Sequence, residues 1–168
     1  GPTLMRFGTE EQKRELLPPI ARGEVVWCQG FSEPGAGSDL ASLRTSAELR
    51  GDHFIVNGQK CWTTFGPWAD WIFLLARTDA DDRYGGISFI LVDLKTEGID
   101  ARPLRQMTGE SEFGEVFFDN VRVPAANLVG QSGEGWRIAM TVLGYERGAG
   151  TAEQAARLGN DLRALIST

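Results

Sequence analysis

Between Glu24 and Pro124 the chain passes through a run of short β-favouring segments separated by Gly, Asn or Asp, and this rhythm constrains the fold more than any other feature. Val25-Val26-Trp27-Cys28 opens the series, and an alternating stretch from Thr45 to Leu49 follows. His53-Phe54-Ile55-Val56 and Gln59-Lys60-Cys61-Trp62 flank Asn57-Gly58. An Asn-Gly pair between two such runs predicts a hairpin turn at that point. Trp71 to Leu75 and Ile87 to Val92 are apolar runs of strand length, and Ile99 to Leu104 and Glu115 to Phe118 complete the set. Many short strands at close spacing predict a β-barrel or a β-sandwich.

Helical patterns lie on either side. Thr9 and Gln12 have the spacing of a capping box, Leu16, Leu17 and Ile20 form an apolar face, and Pro18-Pro19 should break or kink that helix. After Asn127, Gly133-Glu134-Gly135 leads into Trp136 to Leu143 with helical spacing. A further pattern starts near Thr151, with Ala155, Leu158, Leu162 and Leu165 three or four apart. Gly144, Gly148 and Gly150 weaken the region between. The chain opens without Met and stops within a helical pattern at Thr168, which reads as a piece of a longer protein.

Composition removes several functions. Seventeen Lys and Arg against 23 Asp and Glu give a net charge of −6, which argues against a nucleic-acid surface. Two cysteines, one histidine and no ligand spacing argue against a structural metal. No apolar run reaches membrane-spanning length and the start has no secretory pattern, so the expectation is a cytoplasmic protein without a membrane partner.

Two segments can carry chemistry. Ser32-Glu33-Pro34-Gly35-Ala36-Gly37-Ser38-Asp39 follows a strand and combines residues that turn tightly and expose backbone amides. It is not a dinucleotide fingerprint, because Leu40 stands where a third glycine is needed. In Gly58 to Gly66, Trp62 beside Thr63 and Thr64 can set a ring against a planar group with hydroxyls in reach.

Together these segments resemble the acyl-CoA dehydrogenase family. Phe31 to Ser42 is similar to the family's first signature, and Asn57 to Thr64 to its second. Gly8 to Lys13, Leu17 to Glu24 and Phe118 to Pro124 also read as family sequence, so the resemblance covers nearly the whole chain. It implies a mainly antiparallel β-barrel middle domain over residues 24–127, preceded by the end of a helical domain (1–23) and followed by the start of another (128–168). It also implies FAD as cofactor and α,β-dehydrogenation of an acyl-CoA thioester.

By the same resemblance the loop from Gln29 to Ser38, with Phe31 and Gly37 in it, lies along the flavin, and Ser32 bonds its pyrimidine side. Trp62 flanks the ring system, Thr64 reaches its redox-active nitrogen, and Thr63 is a further cofactor-binding position. Ser38, Tyr145 and Glu146 meet the thioester, and Arg147 meets the FAD diphosphate across a subunit contact. In most members the catalytic glutamate comes from a later helical domain, in a minority from the position of Glu146, which is the candidate base here. An electron-transfer flavoprotein as acceptor and a homo- or hetero-oligomeric enzyme are further implications. An acyl-CoA oxidase or a flavin monooxygenase of the same fold, and a flavin-less binding subunit, remain open as alternatives. His53 beside Gly51-Asp52 reads as a solvated strand-end residue, and Cys28 and Cys61 as buried thiols.

Overall fold

The computed structural model describes the backbone of residues 1–166 and all side chains of that range except 149–154 and 164, so the end of the helical pattern at Thr168 lies outside the described residues. Two helices, α1 (Pro2–Phe7) and α2 (Glu10–Ala21), come first. Eight strands follow: β1 (Trp27–Gly30), β2 (Ser46–Arg50), β3 (His53–Thr64), β4 (Trp71–Arg77), β5 (Ile87–Asp93), β6 (Ile99–Leu104), β7 (Phe113–Pro124) and β8 (Leu128–Val129). Then come α3 (Gly135–Tyr145), a π turn (Glu146–Gly150) and α4 (Thr151–Ile166).

The capping box forms as the spacing requires. Gln12 N–H donates to Thr9 Oγ1 at 3.1 Å, and Thr9 N–H donates to Gln12 Oε1 at 3.0 Å. Gln12 Nε2 also donates to the carbonyls of Ala126 and Leu128, at 2.7 and 2.9 Å, tying α2 to the last strand of the sheet. Pro18-Pro19 does not break α2, contrary to expectation. The two rings fall in the final turns, where each withholds one N–H while its carbonyl still accepts, Pro18 from Arg22 and Pro19 from Glu24.

The strands form one sheet in the order β6-β7-β3-β2-β4-β5-β8, with β1 added to β4 in parallel. A mainly antiparallel barrel was expected; most strand pairs are antiparallel, but the sheet is open and includes parallel contacts. Its parallel contacts are β1 with β4 and Ser46 of β2 with Arg77 of β4, while β6 and β8 stand at its ends. Both faces of β4 and β5 are buried. Ile72, Leu74, Ala76, Ile90 and Val92 face one core with Val56, Val116 and Val121; Leu75, Ile87, Phe89 and Leu91 face a second, with Phe31, Leu43 and Ile138. Burial on both faces explains why these strands read as continuous apolar runs.

The Asn57-Gly58 hairpin is also overturned. β3 continues through both residues, and the turn lies at Gly51-Asp52, between β2 and β3. Asn57 instead faces an irregularity in β7: Val56 pairs with Val121 and Gly58 with Phe118, so β7 carries one residue more. Asn120 there is left-handed (φ 51°), and its N–H donates to Asn57 Oδ1 at 2.8 Å. Gly58 (φ 149°) faces Thr45 so closely that an added Cβ would sit 2.5 Å from its hydroxyl and 2.6 Å from its Cα.

Leu158, Leu162, Leu165 and Ile166 of α4 are exposed, whereas α3 buries Ile138, Ala139 and Val142 against the sheet. No described helix is long and apolar enough to cross a membrane.

Gly58→Ala should lower the free energy of unfolding by about 2 kcal/mol or more through backbone strain and overlap. Gly51→Ala, at φ 64° with open space around it, should cost about 1 kcal/mol. Urea unfolding midpoints of the two variants measure the difference, and equal losses would contradict the close approach of Gly58 and Thr45.

Candidate functional site

The first site segment leaves β1 at Gly30 and turns at Pro34-Gly35. Glu33 N–H donates to Ala36 O at 2.9 Å and Ala36 N–H returns to Glu33 O at 3.0 Å, closing a tight turn that projects Gly37 and Ser38 outward. The segment is then tied to β3. Cys61 N–H donates to Ser32 O at 2.9 Å, and Lys60 Nζ donates to Phe31 O at 3.1 Å and to Glu33 Oε1 at 2.8 Å. Glu33 also accepts from the N–H groups of Arg44 (2.7 Å) and Thr45 (2.9 Å).

Lys60 is 0% exposed and Glu33 9%. Burial draws the Lys60 ammonium down to about 8 against the opposing pull of Glu33. Burial by itself would raise the Glu33 carboxyl, but the Lys60 charge and the hydrogen bonds from Lys60, Thr45 and Arg44 outweigh it and hold the group below the usual carboxylate range. Neither residue received a role from the sequence. The available signal was Lys60 itself, a charge on the inward-facing side of a strand whose Phe54 and Val56 face the core.

The second segment is the end of β3. Lys60 pairs with Val116 and Thr63 with Gly114, so β3 holds one extra residue there. Trp62 lies in that bulge with φ 57°, and Phe65 just beyond has φ 59°. Left-handed backbone at bulky residues costs about 1–3 kcal/mol each and concentrates at functional positions. The bulge resets the strand's alternation. Trp62 and Thr64 face outward, with Trp62 64% exposed and its ring edge-to-face with Phe113 at 6.1 Å. Thr63 faces inward, fully buried, with no hydrogen-bond partner for Oγ1.

Three cavities that share lining residues lie among these segments, the sheet and the end of α3. Gln29, Phe31, Ser32, Cys61, Trp62, Thr64 and Glu146 line a polar one of about 230 Å³. Next to it, about 390 Å³ lies between the turn carrying Gly37 and Ser38 and the α3 face carrying Trp136 and Met140, with Arg147 at its edge. A third, of about 200 Å³, is apolar. Leu4 and Ile20 contribute from the first helices, Trp27, Phe73, Phe89 and Leu91 from the sheet, and Tyr145 and Glu146 from the end of α3.

Glu146 therefore borders both the polar and the apolar cavity. Its position follows from α3, which it caps in helical conformation with its N–H directed to the carbonyls of Val142 and Leu143, just where the π turn begins. Of the residues singled out from sequence, all except Thr63 line one of the three cavities. The α3 side chains that wall the middle cavity read only as a helix in the sequence, because the face they cover lies more than ninety residues earlier in the chain.

The remaining titratable groups stand apart. His53 Nδ1 lies 3.0 Å from Asp52 Oδ1 at the β2–β3 turn. Burial pushes the Cys28 thiol up to about 12 and raises that of Cys61, so neither is an activated nucleophile. Among the described residues no His, Cys, Asp and Glu group could hold a metal ion.

Comparison with known proteins agrees with this architecture. Residues 28–121 match the acyl-CoA dehydrogenase middle domain. The chain belongs to the acyl-CoA dehydrogenase family. It is 46% identical over 177 residues to acyl-CoA dehydrogenase IpdE1 of Mycolicibacterium smegmatis, a match covering 99% of this chain and 45% of that protein. Among solved structures, the Tcur3481-Tcur3483 steroid ACAD G363A variant is 40% identical with a TM-score of 0.90, covering 99% of this chain and 44% of that one. The ChsE4-ChsE5 complex from Mycobacterium tuberculosis is 43% identical with a TM-score of 0.80, covering 85% and 37%. The chain thus spans less than half the length of the relatives it matches.

Because Glu33 is held below the ordinary carboxylate range, the stability it contributes is full above that range and is lost as pH falls through it. Thermal unfolding of the wild type should therefore drop steeply between about pH 5 and pH 3, and Glu33→Gln should flatten that limb. Parallel profiles would show that the Glu33 contacts do not bias its protonation.

Proposed function

We propose that this chain is the flavin-side middle of an FAD-dependent acyl-CoA dehydrogenase that removes hydrogens from the α and β carbons of an acyl-CoA thioester. The supporting observation is the position of Glu146, a carboxylate at the junction of a polar cavity and an apolar one. A thioester carbonyl and its α-carbon need a polar surrounding and a base, whereas the rest of an acyl group needs an apolar slot.

The residues present fit a flavin. Trp62 is displayed by strained backbone at the wall of the polar cavity, where its ring can lie against a planar group. Ser32 and Thr64 offer hydroxyls on the same wall. Ser38 and Arg147 border the neighbouring cavity, where a hydroxyl and a guanidinium fork suit phosphate oxygens. When bound, FAD supplies the acceptor for the β-hydride.

The chain's own residues do the rest. Glu146 takes the α-proton, Tyr145 and the apolar cavity orient the acyl group, and Ser38 contacts the thioester carrier. In this reading residues 1–23 close a first helical domain, 24–127 are the flavin-binding unit and 128–168 open a second helical domain. The parent enzyme is an oligomer that passes electrons to an electron-transfer flavoprotein. The aromatic wall of Trp27, Phe73 and Phe89 and the likeness to a steroid ACAD direct the substrate search toward ring-bearing acyl groups as well as straight chains.

The full-length protein should show flavin absorption that bleaches on anaerobic titration with one member of an acyl-CoA panel. Glu146→Gln should retain FAD and slow the bleaching by about 10²–10⁴-fold, the range for loss of a positioned base. Unchanged bleaching would place the base elsewhere, and absence of flavin would refute the assignment.

A further inference from the structure

Lys60 and Glu33 have no part in the chemistry just described, yet they form a buried ion pair that joins the two segments lining the polar cavity. Each lies next to residues that line it. Phe31 and Ser32 precede Glu33, and Cys61 and Trp62 follow Lys60. Lys60 Nζ reaches across to both the Phe31 carbonyl and the Glu33 carboxylate, and the backbone bond from Cys61 to Ser32 runs beside it. The carboxylate continues the chain of contacts to the N–H groups of Arg44 and Thr45, where the loop rejoins the sheet at β2.

A buried ion pair is a poor source of stability, because desolvation offsets most of the attraction and apolar replacements are often neutral. Its directionality is what an apolar pair cannot reproduce. Two hydrogen bonds from Lys60, of 2.8 and 3.1 Å, join one wall to the other, and two more, from Arg44 and Thr45 at 2.7 and 2.9 Å, anchor Glu33 itself. The Trp62 backbone, held left-handed in its bulge, depends on neighbours that over-determine its position.

We propose that Lys60 and Glu33 are positioning residues that set the spacing and angle between the Ser32 wall and the Trp62 wall of the polar cavity, and through it the grip on a planar cofactor. The second half of the proposal rests on the flavin reading above; the first half does not.

The test uses the full-length protein with Lys60→Met and the double variant Lys60→Met/Glu33→Gln. The single variant leaves a buried carboxylate unpaired and is expected to lose thermal stability. The double variant removes both charges and should unfold near the wild-type temperature. If the single variant fails to fold, the double variant carries the test.

Two readouts follow. In cofactor-free protein, the alkylation rate of Cys61, resolved from Cys28 by peptide mass spectrometry, should rise several-fold in the double variant as the walls loosen. FAD affinity should fall about 10–100-fold, with a changed flavin absorption band shape, as expected when supporting contacts are lost. A double variant that regains stability together with wild-type Cys61 reactivity and wild-type FAD binding would overturn the proposal and leave the pair a structural feature. If the wild type binds no FAD, the flavin reading fails, while the Cys61 rate still decides whether the pair sets the walls.

Discussion

The Lys60–Glu33 pair is the interaction on which the arrangement of the site depends. Two stretches nearly thirty residues apart meet there, one a loop without regular structure, the other the end of a long strand. Loops at a surface drift unless their backbone groups are tied down. Here Phe31 O, Arg44 N–H and Thr45 N–H are all satisfied by two buried side chains. Charge complementarity also makes the match selective. A slip of β3 by one residue would turn Lys60 to solvent and leave Glu33 buried alone, at a cost of several kcal/mol.

Around this tie the sheet acts as a platform with two sides. β4 and β5 are buried on both faces, so one face closes a core beneath β3 and β7 while the other receives α3 and α2. That second side is where the cavities form, because a helix resting on strand ends leaves gaps between a row of aromatic rings and the helix surface. The stacked Phe73 and Phe89, with Phe31 edge-on to both, keep that row rigid. Rings locked against one another give a cavity of fixed shape, which suits a slot that must hold a substrate in one orientation.

Irregular backbone places several of the residues that line the cavities. A bulge turns Trp62 outward, the end of α3 carries Glu146 to the junction of two cavities just where a π turn begins, and a tight turn at Pro34-Gly35 presents Gly37 and Ser38. All of these residues border the polar cavity or the one beside it. Distortions of this kind are costly, and they persist where surrounding contacts leave no alternative.

Local pattern settles the elements whose causes are local. The Thr9–Gln12 capping box, the strand runs of β4 and β5, the α3 pattern and the two site segments were all legible, because they depend on residues within a few positions of one another. Two readings failed because of long-range pairing and a third for a local reason. Asn57-Gly58 has the composition of a turn, but β7 pairs with it and absorbs the irregularity at Asn120. Pro18-Pro19 sits late enough in α2 for the helix to continue. The barrel does not close, since β6 and β8 stand at opposite ends of the sheet. Thr63 and Thr64 are neighbours of the same type, and only the bulge decides that one is buried and the other lines the cavity. Strand pairing, bulge placement and the shape of a cavity arise from contacts between segments far apart in the chain, and local pattern carries no record of them until the tertiary structure brings those segments together.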